Sequence, residues 1–154
     1  MATVQPIPDD YPRVIPYLTV DGAAAAIDFY THVFGARERV RMPAPGGKIG
    51  HAEVEIGASV VMLADAFPDG GSPTPSALGG TPVTVMVYVE DVDAVFASAI
   101  EAGATPVRPV EDQFYGDRTG QFTDPFGHKW IVSTHIEDVS AEEMIRRSDA
   151  IMNP

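Results

Sequence analysis

The sequence contains no cysteine and few basic residues. Without cysteine the chain cannot form disulfides, thiolate metal sites or a cysteine nucleophile. Only 10 Lys and Arg residues stand against 22 Asp and Glu, which gives a formal net charge of -12. Because nucleic acids and anionic membranes are bound by clustered positive charge, neither is an expected partner. The acidic charge either serves solubility or favours neutral or cationic small molecules instead.

Long apolar runs and targeting signals are also missing. No apolar segment approaches the roughly 20 residues that a helix needs to span a bilayer. The N-terminal sequence MATVQPIPDDYPR lacks a basic segment followed by an apolar stretch, so it is not expected to be a secretory signal. A cytoplasmic protein is therefore predicted. The length of 154 residues suits a single domain with its own core.

A first structural module is predicted for residues 14–65, after an extended Pro- and Asp-rich arm at 1–13. An apolar strand from Val14 to Val20 leads to a helix that Asp21 should cap. The apolar residues of this helix recur at helical spacing, and Gly35 ends it. Three strand-like runs follow, at 36–42, 48–56 and 59–64, with glycine-containing turns between them.

The same order of elements then repeats, after a turn-rich linker at 66–81. The second module, residues 82–135, has a strand at 83–89, an Asp91-capped helix at 92–102 that Gly103 ends, and three further strand candidates. Ser140 and Glu143 form an S-x-x-E capping box that opens a C-terminal helix over 140–151. The predicted fold class is α+β. Two βαβββ modules form an open, curved mixed sheet around a cavity, with one further helix at the C-terminus.

Strand alternation predicts which side chains face that cavity. If Gly57 and Ala58 form a two-residue turn, Ile56 pairs with Ser59 and Glu53 lies opposite Met62. His51 and Glu53 then share the face away from the helix. In the second module a row of valines from Val83 to Val89 should face its helix, and Trp130 should lie in the core. The predicted ligand-binding residues are Tyr17, His51, Glu53, Met62, Thr84, Met86, Tyr88, Arg118 and Ile131.

Two of these predictions leave alternatives open. His51 and Glu53 are either a catalytic or ligand-contacting pair, with His51 as base oriented by Glu53, or a satisfied polar pair. Arg118 either clamps an anionic group of the ligand or braces the preceding loop together with Asp117. His128 is expected in a tight turn and His32 on the surface.

Three segments resemble the glyoxalase / bleomycin-resistance / dioxygenase (vicinal oxygen chelate) superfamily. They are PYLTVDGAAAAIDFYTHVFGA, YVEDVDAVFASAIEAGA and FYGDRTGQFTDPFGHKW. The last segment, with GHAEVEIGASVVMLAD, is most similar to the PhnB-like branch. The resemblance implies paired βαβββ modules and activities that range from isomerases and dioxygenases to plain drug binders.

Metal enzymes of this superfamily take His or Glu ligands from equivalent strand positions. Alignment through VD-x5-FY places those positions on Ile15, Met62, Thr84 and Ile131, which offer no suitable ligand set. No metal and no cofactor are therefore expected. A relocated site would have to combine His51 and Glu53 with a third ligand, for which His128, His135 and Glu55 are the nominal choices.

The leading hypothesis is a metal-free protein that binds a small, partly aromatic or cationic molecule, as in antibiotic sequestration. The alternatives are a glyoxalase-like lyase or isomerase, or a dioxygenase, that uses a relocated metal led by His51 and Glu53, or a metal-free enzyme that uses these residues as an acid–base pair. A homodimer is expected from the resemblance and from the frequency of two-fold homodimers.

Overall fold

A computed structural model describes residues 4–153, so the first three residues of the predicted arm at 1–13, and Pro154, lie outside the described part. The chain separates into two compact units, one ending at Thr81 and one beginning at Pro82. No helix within residues 4–153 has both the length and the apolar character needed to cross a membrane.

The first unit is one βαβββ module. Its strands form a four-stranded sheet in the order β1-β4-β3-β2, in which β1 runs parallel to β4 and the other pairs are antiparallel. A short helix, α2, lies within the predicted linker. The elements are β1 (Tyr17–Val20), α1 (Ala23–Phe34), β2 (Arg37–Ala44), β3 (Lys48–Ile56), β4 (Ser59–Asp65) and α2 (Pro75–Leu78).

The second unit repeats this architecture and adds the C-terminal helix. Its sheet has the order β5-β8-β7-β6, again with only the first pair parallel. The elements are β5 (Thr84–Tyr88), α3 (Val92–Glu101), β6 (Thr105–Asp112), β7 (Asp117–Thr123), β8 (Lys129–His135) and α4 (Ala141–Met152). The predicted α+β class with two βαβββ modules and a C-terminal helix is confirmed, with one four-stranded sheet in each unit.

The β3–β4 hairpin has the register predicted from its turn. Ile56 pairs with Ser59, and Glu53 pairs with Met62. On the face that packs against α1, Ala52, Val54 and Leu63 are completely buried. This alternation leaves Glu53 and Met62 together on the opposite face, because successive side chains of a strand point to opposite sides.

The core of the second unit is built around Trp130, which is buried as predicted. Its indole Nε1 donates to Asp124 Oδ2 at 2.9 Å. The other carboxylate oxygen of Asp124 accepts the backbone N–H groups of Phe126 and His128, both at 2.9 Å. His128 therefore belongs to a tight turn, as predicted. One aspartate connects that turn to the core tryptophan.

The start of α1 differs from the prediction. Strand β1 begins at Tyr17 rather than Val14, and Asp21 does not cap the helix. Instead, Asp65 at the end of β4 accepts the backbone N–H groups of Gly22 and Ala23 through Oδ1, both at 2.9 Å. A carboxylate from a distant strand thus satisfies the exposed donors of the first helical turn, which neighbouring sequence could not reveal.

The row of valines predicted from Val83 to Val89 is shorter than expected. Val83 precedes β5 and is exposed, whereas Val85 and Val87 are half-buried. Helix α4 begins as predicted, since the Ser140 hydroxyl accepts the Glu143 backbone N–H at 3.2 Å. Arg147 anchors this helix by donating to the Phe114 carbonyl and to Glu137.

Candidate functional site

Three strands of the first sheet bring Tyr17, Glu53 and Met62 to one face. Tyr17 in β1 and Glu53 in β3 are both register partners of Met62 in β4. His51 is two residues from Glu53 along β3 and therefore projects from the same face. Four of the predicted ligand-binding residues are thus neighbours on the side of the sheet that faces away from α1.

Both ring nitrogens of His51 are hydrogen-bonded. Nε2 lies 3.1 Å from Glu53 Oε1, and Nδ1 lies 2.8 Å from the Tyr17 hydroxyl. Because an ionised carboxylate only accepts hydrogen bonds, Nε2 carries a proton, and in the neutral imidazole Nδ1 accepts from Tyr17. The result is a chain of two hydrogen bonds from phenol to imidazole to carboxylate, which we call the Tyr17–His51–Glu53 relay.

Glu53 is the buried end of this relay, with only 4% of its surface exposed. The Tyr11 hydroxyl, from the N-terminal arm, lies 3.1 and 3.0 Å from the two carboxylate oxygens and donates to them. Arg39 Nε lies 3.8 Å from Glu53 Oε2, and its guanidinium stacks 4.6 Å from the centre of the Tyr11 ring. The buried negative charge is therefore paired and hydrogen-bonded from three sides.

Glu53 also contributes to raising the pKa of both neighbouring phenols. Its hydrogen bond is the main cause that raises the pKa of Tyr11, with desolvation adding to it. Burial raises the pKa of Tyr17 first, and the negative charge of Glu53 raises it further. Both hydroxyls therefore act as hydrogen-bond donors throughout the neutral pH range.

A cavity of about 460 Å³ lies beside the relay. Tyr11 and Met62 connect the two, since each lines the cavity and each neighbours Glu53. Its other lining residues are Ile15 and, from the N-terminal arm, Pro6, Ile7, Pro8, Pro12 and the positively charged Arg13. The sequence predicted an extended arm but gave no signal that it would pack beside His51 and Glu53.

The predicted residues of β5 lie in the second unit. Thr84, Met86 and Tyr88 alternate with the half-buried valines and are exposed, and Met86 is the register partner of Ile131 in β8. Tyr88 enters a polar cluster that sequence reasoning missed. Its hydroxyl donates to Asp117 Oδ2 at 2.7 Å.

Asp117 connects that tyrosine to a histidine. Its Oδ1 lies 2.8 Å from His135 Nδ1, and His135 Nε2 lies 2.9 Å from Asp138. Hydrogen bonds to Asp138 and then Asp117 raise the pKa of His135. Tyr88, Asp117, His135 and Asp138 line a second cavity, of about 670 Å³. The pairing of β7 with β8 places Asp117 opposite His135, which no sequence signal predicted.

Arg118 does not join either cluster. Its guanidinium makes two hydrogen bonds to Asp93 in α3 and one to Asp112 in β6, all at 2.8 Å. Arg118 thus braces the preceding segment through Asp112, but without Asp117, because Asp117 and Arg118 are consecutive in β7 and project to opposite faces. The guanidinium is occupied by carboxylates of its own unit, and its contact with a ligand stays a prediction.

Residues 13–132 match the family described as the Glyoxalase/Bleomycin resistance protein/Dioxygenase superfamily. The chain belongs to this superfamily. The match covers the first βαβββ module, with Tyr17 in β1 and His51 and Glu53 in β3, and all but the last three residues of the second.

Relatives in this superfamily extend the likeness over most of the chain. An uncharacterised protein of Mycobacterium tuberculosis, Rv0887c, is 48% identical over 136 residues, which cover 86% of this chain and 80% of the relative. The crystal structure of TioX from Micromonospora sp. ML1 is 32% identical, covers 84% of this chain and 100% of TioX, and has a TM-score of 0.61. The PhnB protein of Bacillus cereus shares the fold at 18% identity and a TM-score of 0.63, with 80% and 99% of the two chains covered.

The residues at the superfamily's metal positions do not fit a metal ion. Ile15, Met62, Thr84 and Ile131 provide no carboxylate or imidazole, the ligands that divalent ions prefer. Within residues 4–153, no group of three or more His, Asp and Glu side chains is arranged to hold an ion. His51 and Glu53 are already bonded to each other and to tyrosines.

Proposed function

We propose that this protein binds a small molecule in the cavity beside the Tyr17–His51–Glu53 relay, without a metal ion. The observation that carries the proposal is the position of Tyr11 and Met62. These residues line a cavity of about 460 Å³ and also border the buried carboxylate of Glu53. An apolar recess with a few fixed polar groups at its edge is the usual composition of a small-molecule site.

The ligand that these features favour is partly aromatic and neutral or cationic. Proline, isoleucine and methionine side chains offer an apolar wall, and a flexible thioether adapts to different shapes. The net charge of -12 attracts cations and repels anions over the surface. Sequestration of a drug or antibiotic of this kind is the specific form of the proposal, in line with the bleomycin-resistance members of the superfamily.

A thermal-shift screen tests this function. A ligand that binds only the native state at 100 times its Kd adds about 2.7 kcal/mol to stability, so its effect on Tm is readily measured. We expect at least one cationic or glycopeptide drug to raise Tm, and His51→Ala to weaken its binding about tenfold. His32→Ala, an exposed histidine in α1, is the matched control. A complete panel without any shift would contradict the proposal.

The relay itself favours a second candidate function, metal-free acid–base catalysis. A phenol that donates to an imidazole oriented by a carboxylate resembles the arrangement used to move a proton in many enzymes. In an enzyme of this kind, His51→Ala lowers turnover by about 100-fold or more, whereas a sequestration protein only loses affinity. Turnover that survives this substitution unchanged would remove the catalytic candidate.

Metal analysis of the purified protein separates both proposals from a relocated metal site. We expect less than about 0.1 equivalent of metal per chain, with no gain after incubation with Zn²⁺, Ni²⁺, Mn²⁺ or Fe²⁺. About one equivalent that disappears in His51→Ala would instead favour a metal-dependent lyase or dioxygenase.

We also propose that the protein is a homodimer. Helix α4 exposes Ile145 and Met152, which are seven residues apart and so lie on the same side of the helix. Light scattering should give twice the chain mass, and Ile145→Lys should shift it toward the monomer, whereas Ala150→Lys, on the other side of the helix, should not. A monomeric wild-type protein would contradict the proposal. The PhnB-like branch and a cytoplasmic location stay predictions.

A further inference from the structure

The second unit contains a smaller cavity, of about 310 Å³, against the β6–β7 hairpin. Cross-strand pairs Arg108–Gln121 and Glu111–Thr119 contribute all four of their side chains to its lining. Thr119 and Gln121 are two residues apart on one face of β7, so the two pairs are separated by roughly 7 Å. Phe114 and Tyr115 from the connecting loop add aromatic surface.

Thr119 contributes a hydroxyl group to the lining of this cavity. Only 6% of the residue is exposed, and its hydroxyl makes no hydrogen bond to any of residues 4–153. Ser133, its register partner in β8, has a fully buried hydroxyl that also lacks a partner within the described chain. Ser133 does not line the cavity, whereas Thr119 does, so the Thr119 hydroxyl is available to a polar group of a molecule bound there.

The two charged side chains of the cavity lack ion-pair partners as well. Within the described residues, neither Arg108 nor Glu111 forms an ion pair, although both belong to β6 and line the same space. Arg118 and Arg147, in the same unit, each bind two carboxylates. One positive and one negative group therefore border this cavity without neutralising each other.

We infer that this cavity binds a small zwitterion of the α-amino acid class. Arg108 and the amide of Gln121 bind the carboxylate, since a guanidinium presents paired donors to carboxylate oxygens. Glu111 and the Thr119 hydroxyl bind the ammonium group, which only donates. The rings of Phe114 and Tyr115 contact an apolar side chain. The site shares no residue with the Tyr17–His51–Glu53 relay, so either can fail without the other.

Three matched compounds test the inference by calorimetry on the full-length protein. Phenylalanine carries both charges, 3-phenylpropionate only the carboxylate, and 2-phenylethylamine only the ammonium. We expect phenylalanine to bind about 10- to 100-fold more tightly than either of the others, because each lost charge removes one charge-assisted contact. No binding by any of the three, or equal binding by phenylalanine and 3-phenylpropionate, would overturn the inference.

Single substitutions assign each charge to its partner. Arg108→Gln should weaken phenylalanine binding at least tenfold and leave the weak binding of 2-phenylethylamine unchanged. Glu111→Gln should weaken phenylalanine equally and leave 3-phenylpropionate unchanged. Both residues are exposed at the cavity edge, so the variants should fold, which circular dichroism checks. Arg146→Gln, on the surface of α4, is the control. Unchanged phenylalanine affinity in Arg108→Gln would contradict the assignment.

Discussion

The Tyr11 hydroxyl donates to both carboxylate oxygens of Glu53, across 42 residues of sequence. This contact fastens the N-terminal arm to the buried end of the Tyr17–His51–Glu53 relay. Arg39 reinforces it, because its guanidinium lies over the Tyr11 ring and also near Glu53. The arm is therefore a wall of the proposed site and is held there by the same carboxylate that orients His51.

Replacing Tyr11 with Phe should release the arm. The substitution keeps the ring but removes the donor, so the arm loses its hydrogen bond to Glu53. Trypsin cleavage after Arg13 should become several-fold faster, because proteolysis reports local opening. Tyr115→Phe, whose hydroxyl makes no hydrogen bond to the described residues, should cleave like the wild type. An unchanged cleavage rate in Tyr11→Phe would show that other contacts hold the arm.

Asp65 should be more important for stability than Asp21. Replacing Asp65 with Ala removes the carboxylate that accepts the backbone N–H groups of Gly22 and Ala23 at the start of α1. The backbone N–H of Ile49 in β3 loses the same acceptor. We expect a loss of about 1–3 kcal/mol in urea unfolding. Asp21→Ala, the neighbouring acid that makes no cap hydrogen bond, should change stability by less than about 0.5 kcal/mol. Equal effects of the two substitutions would contradict this account of the helix start.

The same carboxylate predicts a loss of stability in acid. Burial raises the pKa of Asp65, but hydrogen bonds from Ile49, Ala23 and Gly22 outweigh it and leave the pKa below its usual value. A depressed folded-state pKa stabilises the protein above the unfolded pKa, near 3.8, and this contribution disappears as pH falls through the folded value. Asp65→Ala should therefore differ most from the wild type at neutral pH and least in strong acid, as measured by urea midpoints.

The raised pKa of His135 makes the stability of the fold depend on pH with the opposite sign. Asp138 and Asp117 raise the pKa of His135 above its ordinary value of 6.5. Its charged form therefore stabilises the fold below pH 6.5, and this contribution is lost as pH rises through the folded pKa. His135→Gln should remove the fall in urea midpoint that the wild type shows as pH rises above 6.5. An identical pH profile in His135→Gln would contradict the predicted linkage.

Gly116 should tolerate no side chain. A Cβ atom there would lie 2.1 Å from the Glu137 carbonyl oxygen, and its φ of 96° is unfavourable for other residues. Gly116→Ala should lower the free energy of unfolding by more than about 2 kcal/mol or prevent folding. Gly57→Ala places Cβ in open space at a φ of 58°, so only backbone strain of about 1–2 kcal/mol is expected. A comparable effect of both substitutions on denaturation would rule out the Glu137 clash as the cause.

Apart from the cap that Asp21 was expected to provide, the local signals for helix ends and turns predicted local structure correctly. Ser140 caps α4, Asp91 caps α3, and Gly35 ends α1 in the left-handed conformation, because each acts within one helical turn. The β3–β4 register followed from a single two-residue turn. The capping role of Asp65 and the Arg118–Asp93 contact were missed, since these partners lie on distant segments and many acidic residues were equally available.

The sequence by itself determined the two βαβββ modules, the facing of β3 and β4, and the presence of His51 and Glu53 on one face. Hydrophobic period and turn residues are sufficient for these, because they act over a few residues. Only the tertiary structure decided that Tyr11 reaches Glu53, that Tyr17 completes the relay, and that Asp117 joins Tyr88 to His135. Those contacts depend on strand pairing and on the path of the arm, which no local pattern encodes.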